Sequence, residues 1–237
     1  MVRPHLLLVV PAVLLANTAS ADFYSHRYGG ISLLDSELSG FCSQVQSFVS
    51  NLNSEEQQAS ARQCKEQGTG WKLYSGWQWT PFLAVEADLR QNPDSSIRFD
   101  VSNPALPHLG VHDRVSNRMG NLFFVGHLPV SGNGLSVFGK LGGGFWLSQI
   151  TERQEGEVIL QVRMEDDSLQ EVVAPVSAKL SENDSGFHWG YGAGISYRHR
   201  NNWTLRAEWE VFPEVGSDKL RAEYDVQTTS LGWSFHF

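Results

Sequence analysis

The chain has 237 residues, with 18 Lys and Arg against 26 Asp and Glu, and a formal net charge of −8 at pH 7. That balance argues against a nucleic-acid partner, which rewards basic stripes that displace counterions from phosphate. After residue 21 no apolar run approaches the ~20 residues that a spanning helix needs, so any bilayer crossing must be made by strands.

In chain order, Met1 to His5 form a short basic start and Leu6 to Ala16 an apolar run. Ala19-Ser-Ala21 then offers a small-x-small cleavage motif. The pattern predicts a cleaved export signal over residues 1–21 and a single barrel domain over 22–237. An uncleaved membrane anchor is the alternative.

Alternation of apolar and polar residues at period two predicts eight strands, over residues 23–34, 71–79, 82–90, 119–128, 135–147, 187–199, 203–212 and 225–237. In the third, Leu83, Val85, Ala87 and Leu89 oppose Ala84, Glu86, Asp88 and Arg90. In the sixth, Trp189, Tyr191, Ala193, Ile195 and Tyr197 oppose Gly190, Gly192, Gly194, Ser196 and Arg198. The last strand puts Leu231, Trp233, Phe235 and Phe237 on one face, as a terminal strand meeting lipid must. Short turns, Thr80-Pro81, Ser131-Gly-Asn-Gly134 and Asn201-Asn202, alternate with segments of roughly 30 residues after strands one, three and five. The expectation is an all-β, closed, antiparallel eight-stranded up-and-down transmembrane barrel with long extracellular loops and short periplasmic turns. In hydrocarbon an open edge would leave backbone groups unsatisfied at several kcal/mol each.

Within the long segments, Val45, Phe48, Val49 and Leu52 recur at helical spacing, and Ser54-Glu-Glu-Gln57 has the form of a capping box. Cys42 and Cys64 are predicted to pair, the default in an exported protein, with two free thiols as the alternative. The arms 157–163 and 169–179 are expected to continue strands five and six as a hairpin beyond the bilayer. Residues 151–186 carry nine acids against three bases, so most of the acidity falls outside.

Inward positions of the strands collect Lys72, Gln78, Glu86, Asp88, Arg90, Lys140, Arg198, Arg206, Glu208 and Glu210, five bases against four acids. An eight-stranded barrel is just wide enough inside for its own side chains, so these charges are expected to form an ion-pair network that plugs the lumen. A narrow ion or solute pore is the alternative.

The stretch Thr69-Gly-Trp-Lys-Leu-Tyr-Ser-Gly-Trp-Gln-Trp-Thr-Pro-Phe-Leu-Ala-Val-Glu-Ala-Asp88, with Leu135-Ser-Val-Phe-Gly-Lys-Leu-Gly-Gly-Gly-Phe-Trp146 and the strand ending at Tyr197, resembles the OmpA-like outer-membrane β-barrel family. The resemblance runs through the strands and not the large loops. It implies an eight-stranded barrel in a Gram-negative outer membrane, delivered by the barrel-assembly machinery through its terminal aromatic strand. The chain ends with the barrel, so the peptidoglycan-binding activity of two-domain members is not implied.

No catalytic, metal or cofactor site is expected. His199-Arg-Asn201 lacks the serine of the His-x-Ser-Asn strand motif found in a lipid A deacylase barrel, and a general base needs a nucleophile within hydrogen-bond reach. His108 and His112 beside Asp113 read as a solvated loop, with a metal clip as the alternative. The glycines at 139, 142, 143 and 144 open no phosphate loop, and the acidic segments lack a spaced calcium-binding pattern. The function expected is non-enzymatic: structural support, surface recognition of an unknown extracellular ligand, or both, by a monomer embedded in outer-membrane lipid and lipopolysaccharide. A lipid A-modifying enzyme is the other alternative.

Overall fold

A computed structural model of the chain describes residues 26–54, 58–103, 106–130, 134–164, 167–200, 202–217 and 222–237. The export signal over 1–21, Ser131 to Asn133 of one turn, and Asn201 of another lie outside the described residues. Among the described residues ten strands and one helix follow in chain order: β1 (His26–Ser39), α1 (Phe41–Ser54), β2 (Gln58–Lys65), β3 (Gln67–Gln78), β4 (Leu83–Gln91), β5 (Ser95–Asn103), β6 (Leu106–Pro129), β7 (Leu135–Arg163), β8 (Leu169–His199), β9 (Trp203–Ser217) and β10 (Ala222–His236).

Eight strands close a ring in which each pairs antiparallel with two neighbours, in the order β1, β3, β4, β6, β7, β8, β9, β10 and back to β1. The ring is an up-and-down barrel, and all eight expected strands are in it. Alternation fixes its faces. Trp77 is 48% exposed, Trp189 50% and Phe235 52%, while their chain neighbours Gln78, His188 and Ser234 are buried. Leu83, Leu122, Phe124, Leu141, Leu205 and Leu231 join this outer band, an apolar belt that only hydrocarbon can cover.

Beyond the belt the strands run further than period two over the core segments had predicted. β6 begins at Leu106 rather than Met119, while β7 and β8 stay in register out to the Arg163–Leu169 pair, the hairpin expected of the arms 157–163 and 169–179. β5 lies almost collinear with β4 along the same edge of β6, interrupted at residues 92–94, and β2 adds a further strand to β5. His108 and His112 are therefore strand residues of β6, not loop residues. The signal was present: Ile97, Phe99 and Val101 alternate with Arg98 and Asp100, and Val111 and Val115 face the same core.

α1 covers the inner face of this raised sheet. Gly40, at φ +90°, breaks β1 in a conformation that L side chains rarely adopt, and the helix starts at the next residue. Its opening N–H groups are met by Glu66, whose carboxylate accepts from the Cys42 amide at 3.1 Å. Phe41 and Val49 are buried, and Cys42, Val45 and Leu52 pack against them. Phe48 sits at the margin, 47% exposed and edge-on to Phe99. Ser54 ends α1, and Gln58 already belongs to β2, so no helix begins at the capping-box pattern; its residues 55–57 lie outside the described residues. The Asn53 side chain instead bridges both backbone groups of Ala59. Cys42 and Cys64 form a disulfide with their Cα atoms 5.8 Å apart, tying α1 to β2.

Candidate functional site in the barrel lumen

Inward positions at mid-barrel hold eight charged side chains with essentially no solvent contact. Lys72 Nζ lies 3.0 Å from both Glu208 and Glu210. Lys140 Nζ lies 2.5 Å from Glu208 and Glu210 and 3.6 Å from Glu86. Arg90 stands 2.6 Å from Asp88 and 2.8 Å from Glu210, and Arg206 2.6 Å from Glu86 and 2.7 Å from Glu208. Tyr28 donates its hydroxyl to Glu86 at 2.9 Å, and Asn121 donates to Asp88 at 2.6 Å.

Four cations and four carboxylates leave no net charge, which is the condition for burying them: an unpaired ion here would carry its full desolvation cost. Aromatic faces complete the shell. The Arg90 guanidinium lies 4.5 Å from the Phe212 ring centre, Lys140 Nζ 4.7 Å from Phe123, and Arg206 between Tyr74 at 4.5 Å and Phe138 at 4.9 Å. Gly190 and Gly194 make room for these rings, because a Cβ at either would stand 2.5 Å from Phe212 or Phe138.

Arg198 departs from the expected set. Strand position puts it one inward row nearer the short turns than Arg206, where it donates to Gln78 Oε1 at 2.7 Å, so five bases become four in the cluster. Beyond the ions the lumen turns apolar, with Met119, Phe123 and Trp146 buried and Leu38, Val226 and Phe212 in one register row, and then polar at Asn92, Asn117, Ser148 and Tyr224, the last in register with buried Val215. Reasoning from charged positions missed these layers. Their sequence signal is the run Leu122-Phe-Phe-Val125, apolar on both faces of one strand.

His199 lies near the short turns, stacked 5.1 Å from the Trp203 ring beside Tyr197, in an interfacial aromatic cluster. His108 and His112 share one face of β6 but stand four strand residues apart, about 13 Å, too far to grip one metal ion. Among the described residues no group of three or more His, Cys, Asp or Glu could hold one. The terminal strand carries Leu231, Trp233 and Phe235 outward in register with Leu33, Ile31 and Gly29 of β1, and Phe237 exchanges backbone hydrogen bonds with Arg27.

Comparison with known proteins matches residues 6–237 to the model of a family described as outer membrane protein beta-barrel domain. No curated protein matches the chain. Among solved structures, the chain is similar to Ail, the attachment invasion locus protein of Yersinia pestis, in complex with the heparin analogue sucrose octasulfate, at 13% identity over 90% of this chain and 99% of that one (TM-score 0.44). It is similar to OprG from Pseudomonas aeruginosa at 12% identity over 90% and 95% (TM-score 0.40). The N-terminal β-barrel domain of Pseudomonas aeruginosa OprF matches at 11% identity over 89% and 97% (TM-score 0.38).

Proposed function

The chain belongs to the outer membrane protein beta-barrel domain family, and from that premise we propose that it is a plugged, non-enzymatic barrel whose extracellular platform performs surface recognition. The observation that carries the reading is the charge-balanced cluster of Lys72, Arg90, Lys140, Arg206, Glu86, Asp88, Glu208 and Glu210, all with buried side chains. A conducting path would have to break several of these pairs at once, at a cost of several kcal/mol each. The barrel then serves as an anchor, and the recognition platform stands above it: α1 stapled to β2 by a disulfide, the β5–β6 arm, and the β7–β8 hairpin.

The export signal over residues 1–21 is cleaved in this reading, and the mature barrel, a monomer, is inserted by the barrel-assembly machinery. Among the described residues the ring contacts of His199 are to Tyr197 and Trp203, neither of them an acyl-transfer nucleophile, and lipid A modification is not proposed. Planar-bilayer recording of the refolded protein tests the plug: only baseline current is expected, and a steady open state would overturn it. Recognition is tested by deleting residues 158–174 from a surface-displayed barrel, which should abolish attachment to whichever surface the intact protein binds. Unchanged attachment would exclude the β7–β8 hairpin from recognition.

A further inference from the structure

The outward face of β6 changes character along its length. Gly120, Leu122, Phe124, Gly126 and Leu128 point outward within the apolar belt; the same face then carries Arg118, Arg114, His112 and His108. Neighbouring strands follow suit. Arg98, His112, Arg153 and Lys179 lie directly opposite one another across β5, β6, β7 and β8, three cations and an imidazole in one row on a protein of net charge −8. Burial and then the charges of Arg98, Arg114 and Arg153 hold His112 below the usual imidazole range.

Immediately below Arg118, inside the belt, is a groove of 490 Å³. Its floor is made by small residues, Ser75, Ala87, Gly120 and Gly143, and its walls by Leu73, Leu89, Leu122 and Phe145. Arg118 stands in register with Gln91, one outward row above Leu89 and Gly120, and its Nε donates to Gln91 Oε1 at 2.6 Å. Arg114 is four residues further out, about 13 Å along the strand. It meets Asp94 at 3.4 Å, both side chains well exposed, a pairing too weak to exclude a phosphate dianion. Asp100 and Glu155 flank Gly110 beyond the cationic row and bound the face on its outer side.

We propose that this face binds a phosphorylated glycolipid of the outer leaflet, with one acyl chain in the groove and the phosphates of its headgroup on Arg118 and Arg114. The juxtaposition selects an amphiphile: apolar tail, then anion, in the order and spacing in which the strand presents hydrocarbon floor and guanidinium. Two guanidinium groups some four residues apart suit two phosphates carried at opposite ends of one disaccharide. The site deepens the reading of the chain as an outer-membrane barrel and rests on it.

The test uses the folded, full-length barrel in detergent, titrated with bis-phosphorylated lipid A, with its dephosphorylated form, and with phosphatidylglycerol, bound lipid being read by native mass spectrometry. Heat-modifiable gel mobility verifies folding of each variant. Arg114→Gln combined with Arg118→Gln is expected to weaken binding of phosphorylated lipid A at least tenfold and to leave the dephosphorylated form unaffected. Ala87→Leu, whose side chain points into lipid, fills the groove and is expected to weaken both forms. Arg163→Gln, a cation on the distal hairpin, should change neither. Equal binding of phosphorylated and dephosphorylated lipid A, or of phosphatidylglycerol, would overturn the proposal, as would wild-type binding by the double arginine variant. The conductance result is independent of these side chains, so the plug and the lipid site fail separately.

Discussion

Glu210 contacts three cations, Lys72, Lys140 and Arg90, with no solvent exposure, as Glu208 contacts Lys72, Lys140 and Arg206. Glu210→Gln keeps the shape but leaves four cations facing three carboxylates, and breaking a buried pair in this way costs roughly 3–5 kcal/mol. The unfolding midpoint in urea, followed by heat-modifiable mobility, should fall accordingly; an unchanged midpoint would mean that water already reaches the cluster. Gly194→Ala places a methyl group 2.5 Å from the Phe138 ring and closer still to the Ala207 carbonyl, an overpacking worth about 1–3 kcal/mol. The same assay should show it, and Gly126→Ala, with open space around it, should be silent. At this scale alternation told which way each charge faces, but not how deep it lies. Arg198 obeys the period yet ends one row from the cluster, because depth is set by inter-strand stagger, which no local pattern encodes.

Among the elements, α1 depends on neighbours far away in sequence. A 14-residue helix with no charged residue is marginal alone, and its stability comes from the apolar face laid on Ile97, Phe99 and Val111. The Cys42–Cys64 bond closes a loop of 22 residues, which should restrain the unfolded chain by about 3 kcal/mol. Reduction, or Cys42→Ser with Cys64→Ser, is therefore expected to expose α1 and β2 to limited proteolysis while the barrel keeps its heat-modifiable mobility; simultaneous loss of both would show that the cap and barrel fold as one unit. Asp113 adds a pH dependence to the same platform. Burial, then the Glu152 carboxylate opposite it on β7, pushes its pKa up to about 6, and one of its oxygens is buried without a hydrogen-bond partner. A carboxyl raised above its unfolded value of ~3.9 favours the folded state most when protonated. Protease resistance of the raised sheet should thus increase as pH falls from 7 through about 6 towards 4. Asp113→Asn should flatten that trend.

For the whole molecule, closure decides the chemistry. The eight barrel strands were legible from period two, because a strand with lipid outside and packed side chains inside must alternate, and each segment states that requirement on its own. The raised sheet was less legible: both faces of β5 and upper β6 meet protein or water rather than lipid, so Ile97, Phe99 and Val101 alternate against a weaker contrast. The sequence by itself determined that the barrel exists, which residues face lipid and which charges face inward, since these follow from short-range periodicity. The tertiary structure decided which carboxylate meets which cation, that the count balances at four against four, and that a basic face stands directly above an apolar groove. Those depend on register between strands far apart in sequence, such as β3 and β9, whose Lys72 and Glu210 are 138 residues apart, and register is fixed only when the ring closes.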